Sequence, residues 1–380
     1  MKKRIYLDYA AATPLDRRVL KMMSRLTCVP ANASSIHTEG RAARSRLLAA
    51  RTKVAKVLTC RPEEIFFTSS GTEANNLALQ GIIVASKTKK PHIITSSIEH
   101  HSVLATTRAL VRTGRITLTE LFIDGAGLVS VAELSRQLRP NTALVSIAYA
   151  NNEIGTVQNI TALSKVIKAY NRKNNTNVLL HTDACQAPGL LSLHVQNLGI
   201  DLMTISSGKV YGPQGIAVLY VRHATPIMPI LYGGSQERGL RPGTESVILA
   251  EGFAEALALA EHMRAEETVR LKKLRDYLIK SILKNIHGAT LNGHLVQRLA
   301  NNINVSLPNT SGEMLVLALD RAGFAVSTGA ACTARETGQS HVLKALSADP
   351  DDGNLRITLG RSTTKKELDE FLEVLQKEMC

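Results

Sequence analysis

Tryptophan is absent from the 380 residues and aromatic side chains make up only 4% of them, which leaves little material for the stacking platforms that bind single-stranded nucleic acid. Cysteine is scarce as well. Cys28, Cys60, Cys185, Cys332 and Cys380 are odd in number and never spaced as CxxC, so neither a disulfide framework nor a zinc site is indicated. A reducing cytoplasm is the expected location. No run of about 18 apolar residues occurs, and the opening MKKRIYLDYAAATP carries charge without an apolar stretch of signal-peptide length. A soluble, unprocessed chain with no membrane contact is expected.

Acidic residues are in deficit: 46 Lys+Arg against 32 Asp+Glu give a formal charge of +14, which favours anionic partners without naming one. The basic residues are scattered through Arg41, Arg44, Arg46, Arg51, Lys53 and Lys56 and on to Lys365 and Lys366, as on solvated helix faces, so direct nucleic-acid binding is not expected. The length exceeds what a single compact core usually supports, and a large domain with a smaller companion is the default.

What is abundant is alternation. The short β-branched runs EIFFT, HIITSS, ITLTELFI, TALVSIAYA, NVLLHTDA, LMTISS and GIAVLYV alternate with helix-length segments such as TEANNLALQGIIVAS and ITALSKVIKAYNRK. That pattern predicts a doubly wound α/β sheet. A long helix is predicted from Ser246 to Leu283. Beyond it come the strand ANNINVSL, the helix GEMLVLALDRAG, the strands FAVSTGA and LRITLG, and a last helix opened by Thr364 with Glu367 at capping-box spacing. These form a compact α+β unit.

Chemistry-bearing residues fall at predicted strand ends. In SSGKVYGPQG, Lys209 follows a strand among small residues that leave room for a planar ligand, and a lysine there could form a Schiff base, although most lysines are solvated surface charges. Asp183 closes NVLLHTD at the sheet edge where ligands gather, either as a turn residue or as the acid partner a pyridinium nitrogen needs. In TSSGTEANN, Thr72 is either the helix N-cap or part of a phosphate site at the helix opening. His100 of EHHSVL, at the same edge, is a structural imidazole or one that stacks and shuttles protons; His101 is expected to face solvent. Cys332 lies in STGAACTARETGQS, a stretch with the composition of a surface loop, where a thiol is more reactive than in a core. Arg356 and Arg361 of LRITLGRSTT both suit bidentate carboxylate recognition, and spacing does not choose between them.

From YLDYAAATP to LGRSTTKKELDE the chain resembles the NifS/IscS-type cysteine desulfurases, class V members of the fold-type-I pyridoxal-phosphate (PLP) enzymes. The segments NASSIH, FFTSSGTEANNLA, NNEIGTVQ, TDACQAPG, DLMTISSGKVYGPQGIAVLYV, GGSQERGLRPGT and STGAACT carry the resemblance, in the family's order. It implies a PLP-dependent transferase in which a large domain, residues 13–250, holds a mainly parallel seven-stranded sheet. Residues 1–12 and 251–380 would form the small α+β domain with the cysteine loop.

By position it implies that Lys209 holds PLP, Asp183 pairs with the ring nitrogen and Gln186 contacts the ring hydroxyl. His100 would stack on the ring, and Gly71, Thr72 and Ser206 would bind phosphate, joined by Thr244 from a second subunit of a homodimer. Asn152 would lie against cofactor and substrate, sharing the substrate carboxylate with Arg356. Lys209 would remove the Cα proton of L-cysteine, His100 would exchange a proton with its thiol, and Cys332 would keep the sulfur as a persulfide for a protein acceptor. That acceptor would serve iron–sulfur assembly, tRNA thiolation or DNA phosphorothioation. Two features depart from the family: Gly208 stands where a phosphate-binding histidine is usual, and the sequence ends at Cys380 without a scaffold-docking tail. Selenocysteine lyase, another class V enzyme and a non-catalytic scaffold are the alternatives.

Overall fold

The computed structural model describes residues 4–25, 32–329, 340–349 and 351–379. All seven alternating runs are strands of one sheet. After the short β1 (Ile5–Tyr6), these are β2 (Ile65–Thr68), β3 (His92–Ser96), β4 (Thr117–Leu121), β5 (Thr142–Ser146), β6 (Leu179–Asp183), β7 (Leu202–Ser206) and β8 (Ala217–Val221). Their order is β2-β8-β7-β6-β5-β3-β4. The five strands from β7 to β4 are parallel neighbours, and β8 runs antiparallel to both β7 and β2. Because β8 reverses twice, β2 points the same way as the parallel strands, and six carboxyl ends share one edge.

Strands β3, β6 and β8 are buried at every position, as expected where helices cover both faces of a parallel sheet and the strands become nearly continuous hydrophobic runs. Helices α1 (Arg17–Ser24), α2 (Thr38–Leu58), α3 (Gly71–Ala85), α4 (His101–Arg112), α5 (Val131–Gln137), α6 (Ile160–Asn174) and α7 (Val195–Leu198) connect or cover these strands. Two apolar clusters result, one with Ile94, Val145, Leu180 and Met203 of the sheet and the other with Ile93, Leu144, Leu179 and Leu202. The alternating side-chain directions of a strand place these consecutive residues on opposite faces.

The long helix α8 spans Val247–Asn285, close to its predicted bounds. It is followed by β9 (Thr290–Leu291), β10 (Asn302–Leu307), α9 (Gly312–Ala322), β11 (Phe324–Ala325), α10 (His341–Ala345), β12 (Gly353–Thr358) and α11 (Lys365–Glu378). The small sheet is antiparallel, β12-β10-β9. The capping box opening α11 is present, with Thr364 accepting from Glu367 N–H and Glu367 accepting from Thr364 N–H. The strand expected in FAVSTGA is only two residues long and pairs with β1, outside the small sheet. The chain's first strand thereby joins its last quarter, extended by Leu7 N–H to Ala325 O and Thr358 N–H to Leu7 O.

The expectation of solvated basic faces holds on α2 for Arg41, Arg44, Lys53 and Lys56, which are exposed, and fails for Arg51 and in part for Arg46. Arg51 is buried and bidentate to Glu237, at 2.6 and 2.8 Å, and Arg46 pairs with Glu251 of α8. A long helix laid across α8 has too few free faces to keep every basic side chain in water. Glu237 also accepts the N–H of Phe67, so this buried carboxylate is compensated by charge and hydrogen bonds, as burial requires. Among the described residues, no helix is long and apolar enough to cross a membrane.

Candidate active site

The carboxyl ends of β2, β3, β5, β6 and β7 surround a cleft of about 970 Å³ counted with its open mouth. Gly71, Thr72, His100, Asn152, Asp183, Gln186, Ser206, Lys209 and Arg356 line it. Two sequence candidates stand apart: Thr244 is exposed, outside the cleft of its own chain, and Cys332 lies outside the described residues.

At the β2 end the N-cap of α3 is Ser70, whose side chain accepts from Glu73 N–H; the cap reading of Thr72 is corrected, and Thr72 sits in the first turn. The first N–H groups of a helix have no partner within it and carry the positive end of its dipole, so this turn suits an anion. Gly71 lies in close approach to β6's end: a Cβ there would come 3.0 Å from Cys185 Sγ, so that side chain would have to give by a few tenths of an ångström. Burial, reinforced by the Asp183 charge, pushes the Cys185 thiol well above its ordinary pKa.

Asp183 is buried at the end of β6, where Oδ2 accepts from Asn75 Nδ2 at 2.7 Å and Oδ1 from Cys185 N–H at 2.9 Å. Asn75 Nδ2 also reaches Ser102 Oγ at 2.8 Å, and Ser102 Oγ lies 2.7 Å from His100 Nδ1. Asn75 and Ser102 thus link the two titratable candidates. Neither residue carries a sequence signal of its own, although Asn75 lies within TSSGTEANN and Ser102 within EHHSVL. His100 is the N-cap of α4, its Nδ1 accepting from Ser102 N–H, so the structural reading of this imidazole holds, and the residue also borders the cleft. His101 does not face solvent, since its ring stacks edge-on against His341 at 4.8 Å and its Nε2 is buried.

Two groups behind the site have displaced proton affinities. Burial pushes Glu99 up to about 8, with the Asp183 charge acting the same way, even though Ser96 Oγ–H and Ala148 N–H donate to it. Burial also takes His181 down to about 4, between Ser146 and Thr204 hydroxyls, so that imidazole is neutral at pH 7.

Lys209 ends a short 3₁₀ turn after β7, and its Nζ donates to the carbonyls of Ala10 and Ala11 at 2.7 and 2.5 Å; Gln186 Nε2 donates to Ala10 O as well. The opening residues of the chain therefore form one wall of the cleft. Next to them the fully buried Arg356 projects from β12, pairs with Asp8 at 2.8 Å and reaches Asn152 O at 3.3 Å. Arg361 is elsewhere, stacked over Tyr211 and paired with Asp16. Of the two arginines, Arg356 lines the cleft and Arg361 does not.

The class-V aminotransferase family model matches residues 5–371. The chain belongs to that family. It is 43% identical to a cysteine desulfurase IscS of Dictyoglomus turgidum, over 99% of this chain and 95% of that one. A solved NifS-like protein superposes with a TM-score of 0.91 at 35% identity, covering 99% of both chains. A structure described as SspA in complex with cysteine gives a TM-score of 0.80 at 33% identity, covering 93% of this chain and 98% of that one.

Cysteine desulfurases of class V depend on PLP, and the cleft residues can be tested against that group. Two buried polar atoms on the cleft wall, Asn75 Oδ1 and Arg356 Nε, lack a hydrogen-bond partner among the described residues. Such atoms are costly unless a ligand or water completes them. A primary amine, a buried carboxylate and an open helix N-terminus supply the three contacts that an aldehyde, a ring nitrogen and a phosphate call for. The residues fit. Among the described residues, a Cβ at Gly208 would meet Gln214 Cγ at an ordinary 3.5 Å.

Proposed function

We infer that Lys209 holds PLP in this cleft, with Asp183 at the ring nitrogen, Gln186 at the ring hydroxyl, His100 over the ring and Asn152 beside it. Gly71, Thr72 and Ser206 take the phosphate. The chain is a cysteine desulfurase, which converts L-cysteine to L-alanine and passes on the sulfur. The observation that carries the site reading is the convergence of Lys209 Nζ, the Asp183 carboxylate and the opening of α3 on one cleft that also contains Arg356.

Bound PLP supplies an electron sink for the charge left at Cα when its proton is removed. Arg356 and Asn152 bind the substrate carboxylate; Arg356 is already fixed by Asp8, so little side-chain entropy is lost on binding. Lys209 Nζ takes the Cα proton and later returns a proton to the product. His100, with Nδ1 committed to the α4 cap, presents Nε2 to the substrate thiol. The thiolate of Cys332 attacks the substrate sulfur: an S–S bond forms, the C–S bond breaks, and its electron pair leaves with the three-carbon product as alanine. Cys332 then carries a persulfide for a protein acceptor.

We read the active form as a homodimer, with Thr244 serving the phosphate site of a second copy. In support, Thr244 is exposed outside its own cleft, and the segment before it exposes Met228, Leu231 and, at 84%, Tyr232. Residues 13–250 are taken as the cofactor domain, with 1–12 and 251–380 as the small domain.

A visible absorption band of lysine-bound cofactor, shifted by L-cysteine but not by L-serine, is the test; a colourless protein would refute the site reading. Gly208→His is expected to fold normally and to hold PLP about 10-fold more tightly, since one added hydrogen bond to a charged group contributes about 1.5 kcal/mol. Titration of the apoprotein with PLP, followed by absorbance, reads this directly. Equal or weaker affinity would show that position 208 does not address the phosphate.

A further inference from the structure

Asn75 lies one turn inside α3, the helix assigned to the phosphate, and is 1% exposed. Its side-chain Nδ2 reaches Asp183 Oδ2 at 2.7 Å and Ser102 Oγ at 2.8 Å, so both of its N–H bonds are engaged. The amide has one workable orientation. Turned over, it would set Oδ1 against the Asp183 carboxylate, acceptor facing acceptor. Asp183 is itself held through Oδ1 by Cys185 N–H, and α3 is joined to α4 close by, where Thr106 Oγ–H donates to Asn76 Oδ1 at 3.0 Å.

The direction of these bonds passes on to the next residue. Ser102 Oγ accepts from Asn75 and so has its own proton to donate, and His100 Nδ1 lies 2.7 Å away. The backbone N–H of Ser102 points at the same nitrogen, at 3.1 Å, and cannot turn to accept. Two donors therefore meet one lone pair. A proton on Nδ1 would face the Ser102 N–H directly, which places the proton of the neutral ring on Nε2. The charged groups around the ring, Asp183, Glu99, Lys209 and Arg356, influence how readily it takes a second proton. The bonds at Nδ1 decide where the first one sits.

We propose that Asn75 and Ser102 are positioning residues that hold His100 in the tautomer with its proton on Nε2, the Asn75 amide anchoring Asp183 at one end of the chain and His100 at the other. This rests on the reading of His100 as the group beside the substrate thiol. An Nε2–H presented to sulfur favours a sulfur that bears negative charge. His100 therefore meets L-cysteine as a hydrogen-bond donor, not as a base. The two positioning residues differ in scope: Ser102 serves the imidazole, whereas Asn75 also holds the carboxylate assigned to the ring nitrogen.

The test uses PLP-loaded protein with nitrogen-15 in its histidine rings. In the wild type at mildly alkaline pH, the His100 signal, identified by its loss in His100→Asn, should show an unprotonated Nδ1 and a protonated Nε2. A proton on Nδ1 would overturn the proposal. Function is read on two reactions: single-turnover formation of alanine from L-cysteine, which involves a thiol, and hydrogen–deuterium exchange at Cα of L-alanine, which does not. In Ser102→Ala the first should slow about 5-fold more than the second, the effect of one hydrogen bond. In Asn75→Ala the exchange should slow as well, because Asp183 loses its anchor. Equal losses on the two reactions in Ser102→Ala, as a merely structural defect would give, or wild-type exchange in Asn75→Ala, would overturn the proposal. Wild-type turnover of L-cysteine by His100→Asn would overturn the reading of His100 beneath it. Should Asn75→Ala not fold, the wild-type ring signal and Ser102→Ala decide the matter alone.

Discussion

Lys209→Ala is expected to fold, to lose PLP on dialysis and to turn over L-cysteine about 10⁴-fold more slowly or not at all, at the upper end of what a positioned proton-transfer group contributes. The size of the effect follows from one atom holding two roles, cofactor attachment and Cα proton transfer. The cost to the fold is small. The Nζ donates to two backbone carbonyls, Ala10 O and Ala11 O, and a lost hydrogen bond of this kind costs about 1 kcal/mol, less if water enters the space vacated. Thermal unfolding close to wild type, with the visible band gone, is the expected pair of results. Turnover within 10-fold of wild type would remove Lys209 from the mechanism.

Cys332→Ala separates the two halves of the reaction: L-cysteine should still shift the cofactor band, while sulfide and alanine release fall to background. No other described cysteine is fitted to substitute. Cys185 is the tempting candidate because it lines the cleft, but burial and the neighbouring Asp183 charge keep its thiol protonated at neutral pH. Burial likewise pushes Cys60 up to about 12. A thiol rather than a thiolate is a poor nucleophile, so Cys185→Ser should retain turnover where Cys332→Ala loses it. Normal sulfide release from Cys332→Ala would end the persulfide reading.

Much of this was legible in the sequence because a doubly wound sheet writes itself in two signals that seldom fail together. Fully buried strands become unbroken β-branched runs, and ligand groups collect where those runs stop. Asp183, His100, Ser206 and Lys209 each stand at or just beyond the end of such a run, and each lines the cleft. Side-chain connections between elements left no such mark. Asn75 looks like one polar residue in a helix and Ser102 like a first-turn serine, and only packing brings Asn75 between Ser102 and Asp183. Arg356 and Arg361 were indistinguishable by spacing because the choice depends on where β12 ends: Arg356 is still inside the strand and fully buried, whereas Arg361 has passed its end. Arg51 was misjudged because its partner Glu237 is 186 residues away. Cys332 rests on its motif and its family, since it lies outside the described residues.

The opening residues have a consequence for how the protein comes to be made. Ala10 and Ala11 meet Lys209 across 199 and 198 residues, and Asp8 meets Arg356 across 348. Contacts of such sequence separation form slowly, after more local structure is in place. While the chain is being synthesised, the stretch from Tyr6 to Ala11 must wait for β12 to emerge before this wall of the cleft can be built. Capture of the coenzyme should therefore be among the last events of folding, and a nascent or truncated chain ending before Arg356 should stay colourless however well its seven-stranded sheet has formed.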